Sequence, residues 1–538
     1  MSDPFNEQNR YGSAAFTDED QLRKAGLLSG SGLQLGYWKN KPIRLDDDAP
    51  IITIGGAGSG KLRDVLSYVV CRSPGQRALI LDPRGELGAI SIHIHASYGD
   101  HAYFWNPMRL CGLPVHGCNP LDILKLSSPT FHADCKFIAE SLVAMTGSDS
   151  GKYFEERARS WIEALLKSIV EAQGEVSLVD LHWVVSIIES DPQNWATHLE
   201  VMLASDIPSV RRTASEMLTK QQDSPREFGS IMGTVYASLN FLDDPTLLTS
   251  LDHSDFSLEE LTDPNRASKI FLNIPAEYLS IWSPLIRLFF TVTMLYKSRA
   301  PEAPRILLLV DEAGQLGRFE TLLRAFSYGR GMGIRAWAVF QDTGQIVRNF
   351  GAAALQGFLG SAQTRQFFGV RDYQTAKLIS DMLGTETLEY DDEQRQDEAR
   401  RRKRETVRNL FLEDADPFKA AREYQHHERD EERKTKQSRP LMTPSEILDM
   451  PEDRQILFIS GKGLPPIYGW KYPYYQRREM AGLYLPNPYH PPIKKCRIKT
   501  LLGSRWVPVI TEAAPERFAS FPQHQDGSWS YLKGYKPG

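Results

Sequence analysis

The sequence predicts an α/β fold, a parallel-rich twisted sheet that carries a phosphate loop and is interrupted by an all-α insertion. Three observations lead there. The apolar run Ile51-Ile52-Thr53-Ile54 passes directly into Gly55-Gly56-Ala57-Gly58-Ser59-Gly60-Lys61. Far downstream, the continuously apolar Ile306-Leu307-Leu308-Leu309-Val310 ends in Asp311-Glu312. Between them, residues 130–250 lose strand-like runs and place apolar residues at helical spacing, as in Phe137, Ile138, Ser141, Leu142 and Met145.

Residues 1–45 read as an N-terminal arm broken at Ser29-Gly30-Ser31-Gly32. The first part of the nucleotide-binding domain, 46–129, opens with the glycine loop. Backbone N–H groups in such a loop turn inward on an anion, and the following helix adds its positive end. The spacing fits G-x-x-x-x-G-K, so Gly55 to Leu62 is the candidate ATP-binding segment, with Lys61 reaching the β- and γ-phosphates. Leu62 stands where Ser or Thr ordinarily holds Mg²⁺ and has no oxygen to offer. Two more strands follow, Ala78–Leu81 before Asp82-Pro83-Arg84-Gly85-Glu86 and Ala102–Trp105 before Asn106-Pro107.

After the all-α insertion the sheet pattern resumes over 251–390, starting at Lys269–Ile274. Carboxylates after a buried run need a cation or water. Asp311 therefore reads as the Mg²⁺ residue and Glu312 as the group that polarises an attacking water. A further run, Ala336–Phe340, ends in Gln341, placed to sense the γ-phosphate. Residues 391–440 break the globular pattern as a charged linker or solvated helix, with Arg400-Arg401-Arg402-Lys403-Arg404 among acids such as Glu428, Asp430, Glu431 and Glu432. Strands at Arg365–Gly369 and Gln455–Ile459 complete the sheet, the second within a last nucleotide-binding part, 441–484. Residues 485–538 read as an irregular surface tail rich in Pro and Tyr.

At 538 residues the chain has room for two or three domains. Its net charge of −5 leaves any nucleic-acid contact to a local patch or an assembled pore. Five cysteines without metal-ligand spacing suit a reducing compartment. No apolar run is long enough to span a bilayer; Trp282–Tyr296, interrupted by Arg287, reads as a core helix.

The chain resembles the coupling ATPases of type IV secretion systems, the TraG conjugal-transfer family. The resemblance rests on Tyr11-Gly12-Ser13-Ala14, on Asp82–Leu87, on Asn119-Pro120-Leu121-Asp122 and above all on Asp311-Glu312-Ala313-Gly314-Gln315-Leu316-Gly317. Gly329-Arg330-Gly331-Met332-Gly333, Gln341, Gln345 and Ala362-Gln363-Thr364-Arg365 follow in the family's order. It implies a RecA-like motor assembling as a homo-hexamer on the cytoplasmic face of the inner membrane. Its partners would be single-stranded DNA or a relaxase–DNA complex, inner-membrane secretion components and protein effectors. It gives Lys61, Asp311, Glu312 and Gln341 catalytic roles, and Arg330 a role on nucleotide across a subunit boundary. The family's usual N-terminal transmembrane segment is missing from this sequence, so the expectation is a peripheral docking onto a membrane partner or a removed anchor. The runner-up function is a weakly nucleotide-binding receptor for protein cargo, with the helical insertion as its reading surface. A chromosome-segregation translocase shares the loop and the acid pair but not the block after Asp311.

Overall fold

The computed structural model describes residues 11–143, 145, 149–390, 393–412, 422, 425–426, 435–489, 494–500, 503–519, 524 and 526–536. They fall into two compact units. The larger takes Asp18–Val370 and Pro451–Gly538, the smaller the residues up to Thr17 and Arg371–Met450. These limits differ from the sequence boundaries at 390 and 440, because Thr385–Tyr390 pairs with Thr435–Pro440 and the helix Tyr373–Leu383 packs on Pro444–Leu448.

The larger unit is built on an 11-stranded sheet. Its strands are β1 (Leu33–Trp38), β2 (Lys41–Leu45), β3 (Ile51–Gly55), β4 (Arg77–Pro83), β5 (His101–Trp105), β6 (Ser268–Ile274), β7 (Ile306–Val310), β8 (Ile334–Phe340) and β9 (Thr364–Phe368). After β10 (Thr385–Tyr390) and β11 (Thr435–Pro440) of the smaller unit come β12 (Arg454–Ile459) and β13 (Ile467–Trp470). Across the sheet the order is β2-β1-β13-β12-β9-β3-β8-β7-β4-β6-β5. Every pair from β9 to β5 is parallel, and every pair from β9 back to β2 is antiparallel. All residues of β3, β4, β6, β7 and β8 are buried, which explains why they are mostly apolar on both faces: neither face meets water.

Between β5 and β6 the chain forms consecutive helices, from Phe131–Leu142 and Asp149–Gln173 through Leu178–Ser190, Pro192–Ala204, Pro208–Asp223 and Pro225–Leu239 to Pro245–Leu251. Pro192, Pro208, Pro225 and Pro245 each sit in a first turn, where a missing N–H costs nothing. Trp161 packs on Phe228 with ring centroids 5.3 Å apart in the helical core. The apolar helix Ser283–Arg299 is buried along most of its length. Its Arg287 is satisfied inside the protein, Nε donating to the Ser141 carbonyl at 3.3 Å and Nη1 to the Leu316 carbonyl at 3.1 Å. Among the described residues no helix is long and apolar enough to cross a membrane.

Two expectations are corrected. The residues read as an arm are built into the fold: Glu19–Lys24 is a helix, and β1 and β2 form the sheet's antiparallel edge. The tail is not irregular either. β14 (Lys495–Thr500), β15 (Gly503–Ala513) and β16 (Ser528–Leu532) form a three-stranded antiparallel sheet. Cys496, Ile498, Val507 and Leu532 make its buried face, and Tyr475 and Ala481 pack against them. The opposite face is largely solvated, which is why alternation was the relevant signal and overall polarity the misleading one.

In the smaller unit β10 pairs with β11, and the Ala14 N–H donates to the Thr385 carbonyl at 3.0 Å. The basic run lies on the helix Glu393–Leu412, where Arg400 and Arg402 face Asp397 and Glu398 at 3.5 Å in exposed pairs. The acids Glu428, Asp430, Glu431 and Glu432 lie outside the described residues.

Candidate functional site

Because β3, β8 and β7 are consecutive neighbours in the parallel part of the sheet, their carboxyl ends lie side by side. The segments that follow them carry Lys61, Gln341 and Asp311-Glu312. Lys61 Nζ sits 3.2 Å from Glu312 Oε1 and donates to the Gly55 carbonyl at 3.3 Å. Gln341 Nε2 donates to Glu312 Oε2 at 2.9 Å. Three motifs spread over nearly three hundred positions thus meet on one carboxylate.

The glycines of the loop have local reasons. Gly58 and Gly60 adopt φ of 71° and 84°, in the left-handed region. A Cβ on Gly60 would stand 2.3 Å from Asp64 Oδ2, and one on Gly55 2.9 Å from the Phe368 ring. The Gly56 N–H donates to the Gly369 carbonyl at 3.2 Å, fastening the loop to the end of β9. Ala57 and Gly58 are exposed, so the loop opens toward solvent. Ser59 Oγ is buried without a partner in the protein, a donor available to an anion in the loop. Lys61–Leu66 winds as a wider π-type turn before the helix Ser67–Cys71, a form often met at functional sites. Leu62 lies in this turn.

Asp311 is 8% exposed, with Oδ1 accepting the Glu312 N–H at 3.1 Å. Burial, and then the Glu312 charge, push its carboxyl up to about 7 against the pull of Lys61. Glu312 has φ 58°, a left-handed conformation that costs a non-glycine residue about 1–3 kcal/mol. Asp82, on neighbouring β4, is also fully buried and pushed up to about 7, chiefly by desolvation. Its oxygens are already engaged by the N–H groups of Leu87 at 3.1 Å and Gly88 at 2.8 Å and by Asn273 Nδ2 at 3.0 Å. Asp311 is therefore the acid better placed for a cation. Among the described residues no group of three or more His, Cys, Asp or Glu could hold a metal by itself. One carboxylate plus phosphate oxygens and water suits Mg²⁺, which is seldom caged by protein alone.

Arg330 is placed elsewhere. It precedes β8, at the amino end of the strands, 62% exposed, with Nε 2.7 Å from Asp48 Oδ1. The length of a strand, roughly 16 Å for five residues, separates it from this chain's own loop. Gln345 is closer: its Oε1 accepts the Gln341 N–H at 2.9 Å, and a Cβ on Gly314 would stand 2.2 Å from the same atom. That contact explains glycine within the family's block after Asp311.

Lys471 escaped the sequence reading. It follows β13, and its Nζ donates to the Ser59 carbonyl at 2.7 Å and to Asp64 Oδ2 at 2.9 Å. Both side chains are 1% exposed. Arg63 Nε holds the other Asp64 oxygen at 2.6 Å. No motif marks a lone lysine at a strand end. A cavity of about 280 Å³ opens here, lined by Arg63, Asp64, Lys471, Tyr472 and Tyr475 among others.

Comparison with known proteins follows the same lines. The family model described as Type IV secretory system Conjugative DNA transfer matches residues 6–415 and 419–500. The chain is 23% identical over 509 residues to the type IV secretion system-coupling protein VirD4 of Bartonella quintana (strain Toulouse), covering 91% of this chain and 74% of that one. It is 22% identical over 521 residues to a conjugal transfer protein TraG of Escherichia coli, covering 86% and 76%. Among solved structures it is similar to the plasmid coupling protein TrwB in complex with the non-hydrolysable ATP analogue ADPNP, with TM-score 0.60, 18% identity and 87% and 95% of the two chains covered. The TrwB complex with ADP and Mg²⁺ gives TM-score 0.58 and 18% identity over 86% and 94%. These likenesses show the fold.

Proposed function

The chain belongs to the type IV secretory system conjugative DNA transfer family, and from that premise we propose that it is an ATP-hydrolysing coupling motor. Its cargo would be DNA carried by a relaxase, or protein effectors, delivered to a secretion channel. The observation that carries this reading is the meeting of Lys61, Glu312 and Gln341 beside the glycine loop, at 3.2 and 2.9 Å.

In this reading the loop from Gly55 to Leu62 and Lys61 grip the β- and γ-phosphates of ATP. Mg²⁺, when bound, would supply charge neutralisation on the phosphates, and Asp311 is the side chain that would hold it; Leu62 has no oxygen to contribute. Glu312 orients the attacking water and accepts its proton. Gln341 keeps Glu312 aimed until the γ-phosphate is engaged. The nucleobase lies in the cavity beside Arg63, Tyr472 and Tyr475. Arg330, remote from its own loop, serves the nucleotide of a neighbouring copy, which makes a ring, a homo-hexamer as the resemblance implies, the working form. The ring docks on inner-membrane secretion components from the cytoplasmic side.

The test is steady-state phosphate release with and without single-stranded DNA, across concentrations that span assembly. Turnover should rise with DNA and with assembly. Lys61→Ala and Glu312→Gln should each lower it by about 10²–10⁴-fold, with Glu312→Gln still binding ATP. Normal turnover in Glu312→Gln would overturn the assignment of the water-activating residue.

A further inference from the structure

The amino end of the parallel strands holds a second cluster of charge, distant from the phosphate loop. β4 begins at Arg77, Arg305 immediately precedes β7, and Arg335 is the second residue of β8. The order β8-β7-β4 brings these three side by side. Together with Asp46 they line a cavity of about 250 Å³.

The three arginines are not equally satisfied. Arg77 is anchored by the Asp263 carbonyl, at 3.1 Å from Nε and 2.7 Å from Nη2. Arg305 is 42% exposed at the rim, with Nη1 donating to the Asp47 carbonyl at 3.3 Å and Nη2 3.6 Å from Asp48. Arg335 is different: it is 4% exposed, and its Nη1 donates to the Leu45 carbonyl at 3.3 Å, while Nε and Nη2 find no partner in the protein. Burial pushes its guanidinium down to about 10, helped by Arg305 and opposed by Asp47, Asp46 and Asp48. Asp46 is the one acid in the lining and accepts a hydrogen bond from Ser31 Oγ at 2.9 Å. Three arginines thus face one acid in the lining, with Asp47 and Asp48 just behind Arg305, and Arg335 keeps unused donors on one edge of a planar fork, the geometry that pairs with two oxygens of an oxyanion.

We propose that this cavity is an anion site, separate from the phosphate loop, that takes free inorganic phosphate or an oxyanion of like size, with Arg335 as its buried anchor and Arg305 at its mouth. A phosphodiester of nucleic acid presents the same oxygens, but a cavity of about 250 Å³ suits the free ion rather than a chain.

Equilibrium dialysis of the full chain with radiolabelled inorganic phosphate tests it, using Lys61→Ala as the parent so that the loop contributes little. The parent should retain phosphate binding. Arg305→Gln should weaken it about five-fold or more, Arg335→Lys should weaken it further, and Arg335→Met should remove it. Phosphate should also raise the melting temperature of the parent and not that of Arg335→Lys. Arg305→Gln alters an exposed rim residue and decides the matter even if Arg335→Met fails to fold. Loss of all phosphate binding in Lys61→Ala, or binding undiminished by Arg305→Gln, would overturn the site. Displacement of phosphate by a single-stranded oligonucleotide would overturn its assignment to the free ion.

Discussion

The two ends of the parallel strands hold opposite chemistry. At the carboxyl end a glycine loop, one lysine, two acids and a glutamine converge, with Glu312 bonded to both Lys61 and Gln341. At the amino end arginines gather, Arg305 and Arg330 leaning on Asp48 and Arg335 buried with donors to spare. A parallel sheet makes this division possible, since residues that follow strands all emerge at one end and residues that precede them at the other. An antiparallel sheet would mix the two sets. In the proposed ring, the loop end of one copy would meet the arginine end of its neighbour, each offering what the other lacks.

The largest effect that would break this contrast comes from Arg330. Arg330→Ala should lower turnover by roughly 10³-fold or more while leaving nucleotide affinity nearly unchanged. Mixing Arg330→Ala with Glu312→Gln should then restore part of the activity, measured as phosphate release. No recovery on mixing, with both variants assembling, would return the arginine to a purely structural part. An intermediate effect belongs to Lys471 at the opposite end. Lys471→Met leaves Asp64 buried beside Arg63 alone, and losing one partner of a buried pair costs about 3–5 kcal/mol. Chemical denaturation should report that loss, and the KM for ATP should rise more than kcat falls. A variant as stable as the parent would show that Arg63 alone satisfies Asp64.

The smallest effect is a pH dependence at the acidic end. Asp82 is raised to about 7 in the folded chain and titrates near 4 when unfolded. Between those values the folded state holds the extra proton. Stability is therefore fullest in acid and declines as pH climbs toward 7, by an amount of the order of 2 kcal/mol from pH 5 to 7. Melting curves without nucleotide or metal should show this slope together with a like contribution from Asp311, which is raised as far, and Asp82→Asn should cut the total by about half. An unchanged slope in that variant would place the proton on another group.

The acidic end was far more legible than the arginine end. Ile51–Lys61 and Ile306–Glu312 announce themselves because a buried strand followed by glycines or by paired acids has few other uses. Gln341 needed the family's pattern, and Arg330 needed the pattern for its proposed role and the fold to show that it lies at the opposite end of the strands from the loop. Arg335 sits inside a strand, where Ile334-Arg335-Ala336 reads only as one charge in an apolar run. Lys471 was invisible because its partners Ser59 and Asp64 are 412 and 407 positions away, and no local period encodes such a contact. The strands β14 to β16 were hidden for another reason: one face is solvated, and alternation diluted by Lys, Arg and Ser resembles loop.

The fastening of Ser59 and Asp64 to Lys471 also bears on how the protein is made. The loop emerges early from the ribosome, yet β8, β9 and Lys471, which fix it, are translated much later. At about 5–20 residues per second, the 407 positions between Asp64 and Lys471 take roughly 20–80 s to synthesise. Throughout that interval a nascent chain carries its glycines and Lys61 without the flanking strands and the buried lysine that hold them in the folded protein.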